Sequence, residues 1–68
     1  MILKVNGKTG KFKNNIKTVA DLLSLLKIKN TEKIAVEVNR EIIFPSRFRQ
    51  TPVQDKDNIE IVSFVGGG

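Results

Sequence analysis

The chain has no cysteine and no histidine. That excludes disulfide staples, zinc fingers, thiol nucleophiles and imidazole bases together, leaving carboxylates as the only ordinary acid-base groups. No metal site is expected. Tryptophan and tyrosine are also absent and only four phenylalanines are present, so the aromatic platforms on which single-stranded nucleic acid stacks are missing. There is no long apolar run. The opening MILKVNGK places three apolar residues before Lys4, too few for a secretory signal, and no later stretch has the length that spans a bilayer. A soluble, cytoplasmic protein is expected.

At 68 residues the chain has room for one core and none for a cleft between lobes. An apolar share of 40% suits a small globular fold. The charge is uneven. Of 12 basic and 7 acidic residues, residues 1–33 carry eight lysines against Asp21 and Glu32, whereas residues 34–68 carry four basic and five acidic groups. The basic half allows a nucleic-acid-binding module as an alternative reading. Solvated lysines that keep a small protein in solution are the preferred explanation, and nucleic acid is not the expected partner.

Residues 1–6 alternate as a strand does, with Met1, Leu3 and Val5 on one face, Lys4 and Asn6 on the other, and Ile2 as the exception. Asn6-Gly7 supplies the positive φ angles of a two-residue hairpin turn, so Lys8 to about Lys13 should return antiparallel, with Phe12 inward and Gly10 marking a bulge. Val19, Leu22, Leu23 and Leu26 then recur at helical spacing. Thr18 and Asp21 are placed to cap the start of that helix, and Lys27 and Lys29 suit its negative end. Ile34–Asn39 alternates again, burying Ile34, Val36 and Val38. Asn39-Arg40 turns into a short strand, Glu41 to Phe44, stopped by Pro45. Phe48 and Val53 anchor the ends of the connection that follows. The fold class is α+β: a mixed sheet of four to five strands with one helix on one face, occupying residues 1–65 ahead of a flexible glycine tail, 66–68.

The last strand, Asn58 to Phe64, is the informative one. If Ile59 and Ile61 face the core, then Glu60, Val62 and Phe64 share the opposite, wet face. Two large apolar groups there, on a strand leading into Val65-Gly66-Gly67-Gly68, suggest a docking patch beside a delivered end. Because one of Ile43 and Phe44 must face outward, Ile43 is grouped with Val62, Phe64 and Val65 as a partner-contact residue. Asp55 and Asp57, with Glu60 nearby on the strand, are read as solvated acids of the turn before it and not as a catalytic carboxylate pair. The glycines cradle no phosphate, since no helix follows them and no GxxxxGK[ST] loop exists. Their use is shape: a tail without side chains enters a narrow channel, and three residues of extended backbone carry the final carboxylate about 10 Å beyond Val65.

These features resemble the ThiS-type sulfur-carrier proteins of thiamine thiazole biosynthesis, which have the ubiquitin-like β-grasp fold. The resemblance is carried by Thr18-Val19-Ala20-Asp21-Leu22-Leu23, by Val36-Glu37-Val38-Asn39 with Glu41-Ile42-Ile43 and Pro45, and above all by Asp57 to Gly68. It implies a carrier that is a substrate and not an enzyme. In such carriers an E1-like adenylating enzyme of the ThiF type, using ATP and magnesium, activates the terminal carboxylate. Sulfur from a cysteine desulfurase persulfide then replaces the adenylate, and the thiocarboxylate donates it to a ThiG-type thiazole synthase. Carried onto this chain, Gly68 bears the thiocarboxylate, Gly66 and Gly67 form the slender lead into the partner's active site, and Val62, Phe64 and Val65 border the contact. The carrier itself is expected to bind no cofactor. A molybdopterin-branch carrier or a protein modifier shares the class. Three departures stand out: Lys56 where a glycine is expected, Phe48 where a tryptophan is expected, and the strong positive charge, which is no part of the family signature.

Overall fold

The computed structural model describes residues 1–64. Their order is β1 (Ile2–Val5), β2 (Lys8–Lys11), α1 (Val19–Leu25), β3 (Ile34–Val38), β4 (Glu41–Ile43) and β5 (Asn58–Ser63), with single 3-10 turns at Thr31–Lys33 and Pro45–Arg47. The five strands form one mixed sheet in the order β2-β1-β5-β3-β4. β1 and β5 pair in parallel at its centre, and every other neighbouring pair is antiparallel.

Local chemistry sets each turn. Asn6 and Gly7 have φ of 49° and 83°, the left-handed pair that a two-residue hairpin needs. Asn39 and Arg40, at 52° and 75°, close β3 to β4 in the same manner, with arginine in a region that favours glycine. At the start of α1 the Thr18 hydroxyl accepts the Asp21 N–H at 3.3 Å, while the Asp21 carboxylate accepts those of Thr18 and Lys17 at 3.1 and 3.0 Å. The first helical amides of Val19 and Ala20 donate to the carbonyls of Thr51 and Phe48, so the connection before β5 satisfies donors the helix cannot. The other end closes as a Schellman motif: Lys27 has φ of 59°, its N–H reaches the Ser24 carbonyl, and that of Ile28 reaches Leu23.

One face of the sheet and α1 enclose the core. Leu3, Val19, Leu22, Leu23, Val36 and Ile59 are essentially inaccessible, and Ile16, Ile34, Phe48 and Val53 complete it from the flanks. Met1, Val5, Phe12, Val38 and Ile61 pack against it half-buried.

Three expectations are revised. Leu26 does not extend the helical stripe; it is the C-cap and 37% exposed, and Ile28, returned by the left-handed Lys27, packs in its place. Gly10 is no bulge, since it pairs in register with Leu3. A Cβ there would stand 3.3 Å from the Phe12 ring, so the missing side chain is what lets that ring fold back over β2. Phe12 itself lies past the end of β2, although its N–H continues the ladder to Met1.

Candidate functional site

Residues directly opposite in an antiparallel pair share a face, so the register assigns the open side of the sheet. Ile2 and Lys4 of β1 lie with Lys11 and Thr9 of β2. Glu60 and Val62 of β5 lie opposite Glu37 and Ala35 of β3, and Glu37 in turn lies opposite Ile42 of β4. The face therefore runs from a lysine-bearing edge, through two glutamates, to an apolar corner.

In that corner Ile42, Phe44, Val62 and Phe64 are each about half exposed, at 56, 57, 48 and 53%. With Ala35 as a small floor and Glu37 at the rim they shape a shallow groove of about 240 Å³. Phe64 is held in line by its N–H, which donates to the Lys33 carbonyl at 3.1 Å. The expected outward position of Val62 and Phe64 is what the structure shows. Ile43 is corrected. It is 8% exposed and part of the core, because Val36, its partner across β3, faces inward; Ile42 and Phe44 occupy the patch instead. Val65, Gly66, Gly67 and Gly68 lie outside the described residues.

The acids before β5 are also revised. Asp57 is buried: its carboxylate accepts the Asn39 amide at 2.9 Å and the Gln54 N–H at 2.8 Å. Asp55 accepts the N–H of Ile2 at 2.6 Å. Both are structural ties between segments far apart in sequence. Lys56 between them has φ of 72°, so the turn keeps the backbone shape that a glycine would give. Nearby, the Asn6 side-chain oxygen takes the Ile61 N–H at 2.7 Å and continues the β1–β5 pairing beyond the last paired backbone.

A larger hollow of about 580 Å³ lies on the helix side, between α1 and the two 3-10 turns, lined by residues that include Ser24, Glu32, Arg49 and Gln50. It brings together no set of acid, base and nucleophile. No group of three or more His, Cys, Asp or Glu placed to hold a metal occurs among the described residues. No helix among them is long and apolar enough to cross a membrane.

A five-stranded mixed sheet in this order, one helix on its inner face and an apolar patch at the end of the last strand define a ubiquitin-like β-grasp protein. Within that class the chain belongs to the ThiS family, which its residues 3–68 match. It is 43% identical over 67 residues to a sulfur carrier protein ThiS of Bacillus subtilis, covering 98% of this chain and all of that one. It is also 43% identical over 68 residues to a thiazole synthase of Paramagnetospirillum magneticum, of which it spans 20%. The crystal structure of a thiamine biosynthesis protein (ThiS) from Geobacter metallireducens superposes with a TM-score of 0.85 at 39% identity, covering both chains entirely.

Proposed function

We propose that the chain is a sulfur carrier for assembly of the thiamine thiazole, and that its reactive atom is the Gly68 carboxyl. The observation that carries this reading is the full-length match to a sulfur carrier, joined to an exposed apolar patch on the strand that leads into Val65-Gly66-Gly67-Gly68. A carboxylate is a poor electrophile until one oxygen becomes part of a good leaving group. An adenylating enzyme of the ThiF type supplies it: the carboxylate attacks the α-phosphate of magnesium-bound ATP, pyrophosphate leaves, and an acyl-adenylate remains. The outer sulfur of a desulfurase persulfide then displaces AMP to form an acyl disulfide, and a second thiol cleaves its S–S bond, leaving the thiocarboxylate on the carrier and a disulfide on the sulfur donor.

The carrier supplies no acid, base or metal to these steps. It presents a carboxyl group on a slender lead, and a patch by which the enzyme holds the body. The acceptor is a ThiG-type thiazole synthase, a reading supported by the stretch that a thiazole synthase shares with this chain; that same stretch favours the thiazole branch over the molybdopterin one. Incubation with the adenylating enzyme, ATP, magnesium and a desulfurase with cysteine tests the proposal by intact mass. The expected product is heavier by the difference between sulfur and oxygen. An unchanged mass, under conditions that load the Bacillus subtilis carrier, would refute it.

A further inference from the structure

Glu37 and Glu60 stand directly opposite each other across β3 and β5 on the open face. Beyond the strand ladder, neither carboxylate has a hydrogen-bond or ion-pair partner among the described residues. Glu37 also lines the apolar groove, next to Ala35 along the face of β3 and opposite Ile42 of β4. The lysines on the same face, Lys4 and Lys11, lie on β1 and β2, and Lys4 is paired with Asn58 and not with Glu60. Like charges directly opposite in a sheet repel, so within the carrier alone this pair works against the fold. A chain of net charge +5 thus carries a local negative spot beside its apolar corner.

We propose that Glu37 and Glu60 are specificity-determining residues for docking: the activating enzyme seats an apolar side chain between Phe44 and Phe64 and lays a lysine or arginine over the two carboxylates. The proposal rests on the carrier reading above and names the chemistry of the partner's surface. A protein that closes over the groove must strip water from the adjacent carboxylates. That is tolerable only if a cation replaces the water, and a guanidinium fork can reach two carboxylates at once. A partner with an acidic or neutral surface at that point is rejected, which gives specificity and orientation as well as attraction. A second copy of this chain is the poorer occupant, because two bodies of charge +5 repel. The position also matters: Glu60 and Val62 on β5 and Phe64 just past its end follow one another in the sequence toward the terminal carboxyl group, so a partner that grips this patch holds the body close to the group it must reach.

The test compares the wild type with the double variants Glu37→Gln/Glu60→Gln and Glu37→Lys/Glu60→Lys, and with Glu41→Lys on β4 as a control. ATP–pyrophosphate exchange by the adenylating enzyme is measured against carrier concentration at several salt concentrations, with thermal melts and sedimentation alongside. Charge reversal is expected to raise KM for the carrier by roughly tenfold or more at low salt with kcat unchanged, the difference shrinking as ionic strength rises. The glutamine pair should raise KM less while melting no lower than the wild type. A structural role for the glutamates predicts the opposite sign in the melt. KM unaffected by reversal, or matched by the Glu41→Lys control, overturns the proposal while leaving the carrier function intact. Wild-type self-association abolished by the reversal overturns it in favour of a second copy. Absence of any exchange with the wild type strikes at the carrier reading itself.

Discussion

Asn39 donates its side-chain amide to the Asp57 carboxylate at 2.9 Å, and its own side-chain oxygen accepts the N–H of Asn58 at the same distance. One residue in the β3–β4 turn thereby fixes where β5 begins, and β5 contributes Val62 to the exposed apolar patch. Asp57→Ala leaves the Asn39 amide and the Gln54 N–H without their acceptor in a buried place. The expected loss is about 1–3 kcal/mol, read as a lower urea midpoint with an unchanged m-value.

Lys27, Arg40 and Lys56 hold positive φ angles of 59°, 75° and 72°. Left-handed backbone costs a residue with a Cβ roughly 1–2 kcal/mol, and glycine's greater freedom when unfolded takes back about 0.5–1 of that. Each single glycine replacement should therefore stabilise the protein by a few tenths to about 1 kcal/mol. Lys56→Gly, in the tight turn before β5, is the most direct case. Thermal or urea unfolding checks it, and Lys56→Val, β-branched at the same angle, should move stability the other way.

Ile43 and Phe44 are adjacent and both apolar, yet their replacements should differ in kind. Ile43→Ala removes a core side chain and is expected to cost about 2–5 kcal/mol. Phe44→Ala, Phe64→Ala and Ile42→Ala strip exposed surface and should change stability by no more than about 0.5 kcal/mol. Their effect belongs in the activation assay, as a raised KM for the carrier. A melt of Phe44→Ala as low as that of Ile43→Ala would contradict the assignment of faces.

Asp21 is exposed at the start of α1, and its pKa is lowered from 3.8 by the N–H groups of Lys17 and Thr18, with the Thr18 hydroxyl and the Lys17 charge adding to the effect. A carboxyl group depressed in the folded state stabilises it fully above its unfolded pKa. That contribution disappears as pH falls through the lowered folded value. The melting temperature should therefore decline below about pH 4, and Asp21→Asn should flatten this decline while lowering stability at neutral pH. An equally steep acid limb in the variant would assign it to other carboxylates.

Much of this architecture was legible because its determinants are local. Asn6-Gly7, the Thr18–Asp21 cap and the alternation of Ile34, Val36 and Val38 each dictate their own geometry from a few neighbouring side chains. The outward face of Val62 and Phe64 followed from Ile59 by parity alone. Errors arose where parity is silent or partners are distant. Ile42, Ile43 and Phe44 are all apolar, so alternation does not say which turns in; the pairing of Ile43 with Val36 does. Asp57 reads as a turn acid until Asn39, eighteen residues earlier, is brought beside it. Leu26 satisfied helical spacing, but the helix ended one residue sooner because Lys27 adopts a left-handed angle. Gly10 suggested a break in a strand, whereas its reason is the phenyl ring two residues on.

The first and last strands of the chain are neighbours at the middle of the sheet. Without β5 the sheet has a gap between β1 and β3, so the body closes only after segments far apart along the chain have met. The segment that completes the fold also supplies Val62 to the exposed apolar patch. A chain whose β5 has not yet docked therefore lacks the closed core and the exposed apolar patch together, so the surface is present only on molecules whose interior is already assembled.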